Sequence, residues 1–238
     1  MKPFVKPFVK HRVGPRVGRR LAPAAALAVA ATLGLSGCGV GQAAAAHVAG
    51  TPILTSNVDL LARITCTDLA NSQAPAGTNT RPVSIIRGQA VQTLIDAKVA
   101  DLMAQRRGTS YDKTQLAQTM AQVDNALPQL PAQDRQDARN LIEQLVRAGL
   151  EVQAIGHDAL VAEGNSNPDG QQSVNKGQQL QSAYEKKLDI QVDPRYATAK
   201  SATGDQMSVP VSSFARNGAK SQPTQLWTIQ LPASQRCG

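Results

Sequence analysis

Beyond residue 55, apolar side chains recur every three or four positions through most of the chain, the period of one buried helix face. Val58, Leu61, Ala62, Thr65 and Leu69 form the first stripe. Ser56 ahead of it, with Asp59 three positions on, reads as an N-cap in a capping box that carries Asp in place of Glu. NSQAPAGTNTRP, from Asn71 to Pro82, is a loop by composition. The second helix carries Val91, Leu94, Ile95, Val99, Leu102 and Met103, with Gly108 as its C-cap. The third runs from about Ser110 to Ala126 with Leu116, Met120 and Val123, and the PQLP at 128–131 breaks it. The fourth spans Pro131 to Glu163 with Leu141, Ile142, Leu145, Val146, Leu150, Ile155 and Leu160, although Gly149 and Gly156 weaken its continuity. A more polar fifth helix runs from about Gln172 to Lys187. Short extended segments lie near the two ends. A turn at Ala49-Gly50 separates two of them, LDIQV precedes Asp193-Pro194, and SVPVSSF and QLWTIQL fall in the extended last forty residues. Helix therefore dominates.

The N-terminus has a different pattern. The first twenty residues hold seven Lys and Arg and no acid, and an apolar run follows from Leu21 to Leu35. This order reads as a secretory signal peptide, because the run is shorter than the ~20 residues that span a bilayer. Leu35-Ser36-Gly37-Cys38 then resembles a bacterial lipobox, in which the cysteine is acylated on sulfur and becomes the first residue after cleavage. The alternative is an ordinary signal peptide with a chance cysteine. The lipobox reading makes residues 1–37 the signal peptide and Cys38 the lipidation site, with residues 38–46 as a flexible tether. Two acyl chains anchor stably where one does not. The expected location is the extracytoplasmic side of a cell membrane, held by lipid.

Cleavage changes the charge. The chain has 25 Lys and Arg against 17 Asp and Glu, a formal charge of +8. Without the seven basic residues of the leader, 18 face 17 and the charge is +1. The basic pI belongs to the precursor, and no basic stripe remains to bind nucleic acid.

Candidate chemistry is sparse. His47 and His157 are far apart, with no Cys or acid at metal-ligand spacing, so neither a metal nor a cofactor is expected. Asp134, Asp137 and Glu143 cluster near the start of the fourth helix, where the helix dipole alone favours acids. Gly164 to Gly170 lacks the Lys-Ser/Thr ending of a phosphate loop. Tyr111, Tyr184, Tyr196, Phe214 and Trp227 are too few for a stacking face, and Trp227 reads as a core or sheet residue. With Cys38 assigned to lipid, Cys66 and Cys237 remain. In an oxidising compartment they are expected to form a disulfide; the alternative is two separate thiols.

Three segments point to a family. HVAGTPILTSNVD, His47 to Asp59, resembles the opening of the SurA N-terminal chaperone domain, V-N-G-x-x-I-x-x-x-(D/E)-V. Val48, Gly50 and Ile53 fit; Ala49 stands where Asn is usual, and the acid follows Val58 instead of preceding it. DIQVDPRYA, Asp189 to Ala197, is similar to the segment after the last helix of that domain, with Ala197 in place of Gly. SVPVSSFA, Ser208 to Ala215, is similar to a tail found in actinobacterial SurA-like lipoproteins.

The resemblance implies a mainly α fold, a helical cradle of about five helices, with a small β element joining the N-terminal strand to the region near Pro194. Residues 47–200 would form the helical domain, and 201–238 an extended tail packed on it. It further implies a non-enzymatic, membrane-anchored chaperone that binds unfolded or exported polypeptides. The parvulin isomerase domain of many relatives has no counterpart in the roughly 40 residues after Tyr196. A structural or partner-docking envelope lipoprotein is the alternative. The peptide-binding residues are not assignable from sequence.

Overall fold

The computed structural model describes residues 43–72, 80–196 and 225–237. The lipidation candidate Cys38 and the SVPVSSFA segment lie outside them. The fold is mainly helical with a small antiparallel sheet, as the pattern and the resemblance imply.

The chain enters through β1 (Ala44–Val48), which forms a hairpin with β2 (Thr51–Leu54). Ala49 and Gly50 both take positive φ, 48° and 79°, as a two-residue hairpin turn requires. On its other edge β1 pairs with β4 (Ile190–Val192), Ala46 opposite Val192 and Val48 opposite Ile190. The first correction concerns the tether expected over 38–46. Its last residues, Ala44 to Ala46, belong to β1, and Ala45 and Ala46 are fully buried. An alanine run has weak strand preference, but in a central strand small side chains permit close packing against α2.

Strand β2 leads without a break into α1 (Thr55–Asn71). The expected Ser56 cap is therefore absent. Leu54 occupies the N-cap position, and the Thr55 N–H and Oγ1 both donate to the Ala43 carbonyl, at 2.8 and 2.6 Å. Next come β3 (Arg81–Pro82) and α2 (Val83–Arg107), which buries Val91, Leu94, Ile95, Val99 and Met103 and ends at left-handed Gly108 (φ 67°). Helix α3 (Lys113–Ala126) starts later than Ser110 because the Asp112 carboxylate caps it, accepting from the amides of Thr114 and Gln115. Two 3-10 turns, at Leu127–Gln129 and Ala132–Asp134, carry the chain past the prolines into α4 (Arg135–Ala162).

Helix α4 passes through Gly149 and Gly156 without interruption. The reason at Gly156 is packing: a Cβ there would overlap the Ser173 carbonyl of α5 (Gly170–Glu185), and one on Gly177 would overlap the Val152 carbonyl of α4. Helix α5 opens with a capping box, Asp169 to Gln172. Beyond β4, the Asp193–Tyr196 turn closes with the Tyr196 amide donating to the Asp193 carbonyl at 2.8 Å. The main core lies between the sheet and helices α1, α2 and α4, around Val48, Val58, Val91, Ile95, Val99 and Leu141.

QLWTIQL is the second correction. It forms a short helix, α6 (Gln225–Ile229), rather than an extended segment. Alternating Trp227, Ile229 and Leu231 mimic a strand, yet the buried residues are Trp227, Thr228 and Leu231, while Leu226 and Ile229 face solvent. That spacing is helical. The chain then forms β5 (Arg236–Cys237), antiparallel to β3.

Candidate apolar groove beside the disulfide

Helix α1 contributes to the core through Val58 and presents a second face outward. Along that face the partly buried Ile64 and Thr67 follow Leu60, which is itself buried in the core, at one-turn spacing. The prolines that end α3 hold Leu127 and Leu130 opposite them. Two clefts result, of about 380 and 150 Å³, which share Ile64, Thr67 and Leu130 and therefore form one groove. The smaller end is floored by Val123, Leu127 and Ile142. The larger end reaches Ala62, Cys66 and Val83.

Ion pairs rim the apolar floor. Arg63 donates to both oxygens of Asp134, each at 3.0 Å, a fork geometry that fixes the start of α4 against α1. Arg87 meets Asp59 at 3.0 Å. Among the acids read at the start of the fourth helix, Asp134 is thus bound to Arg63, and Glu143 pairs with Arg139 at 3.3 Å. Such an open, apolar groove with a charged rim suits a flexible polypeptide better than a small polar ligand.

At the larger end, Cys66 and Cys237 are joined in a disulfide, with Cα atoms 4.9 Å apart and a sequence separation of 171. Cys237 is buried with Ala62 and Ile86. Cys66 is partly exposed.

Two other clefts are polar. One, of about 270 Å³, lies between β2, α2 and α4 and holds Lys98, Asp101 and Arg147. Burial pushes the Asp101 carboxyl up, but hydrogen bonds from Lys98 and Gln105 and the charges of Lys98 and Arg147 bring it below its usual range. Nearby Glu151 is buried, 3.6 Å from Arg147; burial raises its pKa, Arg147 offsets part of the rise, and Asp101 adds to it. At the α2–α5 contact, burial likewise raises Asp96 and Glu185, the latter also through the Asp96 charge. The other cleft, about 540 Å³, is lined by Ser110, Tyr111, Gln153 and His157, with His157 about half exposed. His47 lies exposed on β1, far in sequence from His157. Among the described residues no group of three or more His, Cys, Asp and Glu side chains is placed to hold a metal ion. Nor is any described helix long and apolar enough to cross a membrane.

The groove escapes a sequence reading because its floor comes from four separate segments, and only the tertiary approach of α1 to the 127–130 turn assembles it. Ile64 and Thr67, at the border of the core stripe of α1 next to Leu60, are the only trace of it in the pattern. Comparison with protein-family models, curated proteins and solved structures finds no match to this chain.

Proposed function

We propose that the mature protein is a lipid-anchored, extracytoplasmic chaperone-like protein that holds unfolded or exported polypeptides in the α1 groove without catalysing a reaction. The groove is the observation that carries this reading: a continuous apolar floor through Ile64 and Leu130, open at the surface and rimmed by the Arg63–Asp134 pair. The SurA-like segments and the lipobox at Cys38 support the same reading from sequence. Apolar side chains of a client would fill the floor, and the rim would engage its backbone and charges.

The test is aggregation of a reduced, unfolded client in the presence of the mature chain, beside binding of unstructured fluorescent peptides. The wild type is expected to slow aggregation, and Ile64→Asp to lose the effect while keeping its helical circular dichroism. A wild type that neither slows aggregation nor binds peptide sinks the proposal. Capture from membranes of one stoichiometric partner instead of many unfolded clients would make the groove a docking site.

A further inference from the structure

The last residues of the chain are seated as an extended peptide would be. Strand β5 adds to the edge of β3, with Cys237 opposite Arg81 and Arg236 opposite Pro82. The Cys237 side chain enters an apolar pocket formed with Ala62 and Ile86 and flanked by Leu69 and Val83. β3 and β5 together make a two-stranded sheet, and main-chain pairing with one side chain in an apolar cluster is how an extended peptide is held. Ala62, Cys66 and Val83 belong both to the surface that the segment covers and to the lining of the 380 Å³ cleft. The end of the chain therefore occupies a continuation of the groove.

At residues 236–237 its non-covalent hold is slight, while Trp227, Thr228 and Leu231 further back are buried in the fold. The β3–β5 ladder is two residues long, and Pro82 brings no N–H to it. Covalent attachment comes from the Cys66–Cys237 bond. Cys66 lines the cleft and is partly exposed, whereas Cys237 is 5% exposed, so a thiolate has its approach from the Cys66 side.

We propose that residues 236–237 are a redox-releasable occupant of a peptide site, and that opening the disulfide frees the β3 backbone and the apolar surface around Ala62 and Ile86 for an extended polypeptide with a small apolar side chain. The reductant is a dithiol. Its thiolate attacks Cys66 Sγ, a mixed disulfide forms, and Cys237 leaves as a thiolate that takes up a proton. The second thiol of the reductant then attacks the mixed disulfide, releasing Cys66 as a thiol and leaving the reductant oxidised to its cyclic disulfide. Two electrons and two protons have passed to the protein. This inference rests on the chaperone-like reading for the identity of the incoming chain, but not for the release itself.

The experiment uses the full mature chain, oxidised and after dithiothreitol, with Cys66→Ser/Cys237→Ser as a form that cannot close. Hydrogen exchange at 62–69, 81–86 and 236–237 reads release. Binding of a fluorescent peptide with the sequence of residues 225–238, Cys237 replaced by Ser, reads the vacated site. Reduction is expected to deprotect all three regions and to tighten peptide binding about tenfold, as a site freed of its occupant should. The double variant should match the reduced wild type with or without dithiothreitol; if it does not fold, the reduced wild type alone decides. Unchanged protection at 81–86 and 236–237 after complete reduction overturns the proposal. Deprotection without any peptide binding overturns the peptide site, whereas peptide binding by a protein that fails to slow client aggregation counts against the chaperone-like reading alone, so the two failures are separable.

Discussion

Gly156 of α4 and Gly177 of α5 meet where the two helices cross, so closely that a Cβ on either would overlap backbone of the other helix. Gly149, two turns earlier on α4, has nothing within 4 Å of a built Cβ. The same substitution should therefore have opposite signs at the two kinds of site. Gly156→Ala and Gly177→Ala gain up to ~1 kcal/mol of helix propensity but force two backbones apart, for a net loss of about 2 kcal/mol and a Tm lower by roughly 5 °C. Gly149→Ala keeps the propensity gain and should raise Tm by about 2 °C. Thermal unfolding of the three variants checks the contact, and a stabilising Gly156→Ala would disprove it.

This contact shows what the pattern along the chain carries and what it hides. Helix α2 is legible from Val91, Leu94, Ile95, Val99 and Met103 to its Gly108 cap, because both signals are local. Gly156 reads locally as a helix weakness and is in fact a packing requirement set by α5. Ala44 to Ala46 read as tether because alanine has little strand preference; a hairpin partner at 53–54 and a distant one at Val192 make them a strand. Counting cysteines leaves Cys66 and Cys237 together, but the pocket around Cys237 needs Ala62 and Ile86 from two helices. The groove is hidden for the same reason.

Removing the bond between Cys66 and Cys237 should destabilise the protein, since it closes a loop with 171 positions of separation. Restricting the unfolded chain over so long a loop is worth up to about 5 kcal/mol, with ~2–4 kcal/mol typical of measured disulfides. Urea unfolding of Cys66→Ala/Cys237→Ala against the oxidised wild type measures it. A loss below ~1 kcal/mol would mean that the bond does little to restrict the unfolded chain.

Ala49 occupies the left-handed region at φ 48°, on an exposed turn, where a Cβ is unfavourable. Relief of the ~1–2 kcal/mol left-handed cost, less the ~0.5–1 kcal/mol entropic cost of glycine, should make Ala49→Gly more stable by about 0.5 kcal/mol. Ala49→Asn should act in the same direction, since Asn tolerates this region. The gain is small, so chemical unfolding with a shared m-value is the appropriate measurement. Destabilisation by both variants would show that the hairpin turn is not formed as described.

Asp193 accepts hydrogen bonds from the Arg195 side chain and amide, the shortest at 2.7 Å, and these hold its carboxyl at about 2 against an ordinary 3.8. A depressed carboxyl stabilises the fold above its unfolded pKa and loses that contribution as pH falls through its folded pKa. The affected window is therefore from about pH 4 down to about pH 2. The pair is exposed and screened by salt, so the effect is modest. Asp193→Asn should flatten the stability profile across that window, with a modest loss of stability at pH 7 that vanishes below about pH 2. An unaltered acid slope would show that the Arg195 contacts do not persist in solution.

Glu151 has the opposite sign. Burial in the α2–α4 interface raises its carboxyl above the ordinary 4.5, and Arg147 at 3.6 Å reverses only part of that rise. A carboxyl raised on folding binds more protons in the native state than in the unfolded one. Its contribution is thus fully present below about 4.5 and is lost as pH rises through the folded pKa. Glu151→Gln keeps the shape and removes the charge that burial penalises. Its Tm should equal that of the wild type near pH 4 and exceed it increasingly as pH rises toward neutrality. Asp101 is the internal control: its carboxyl is lowered overall, so Asp101→Asn should cost stability at pH 7 by removing the partner of Lys98. A Glu151→Gln variant that is less stable than the wild type at pH 7 would mean that the ion pair with Arg147 outweighs desolvation at this site.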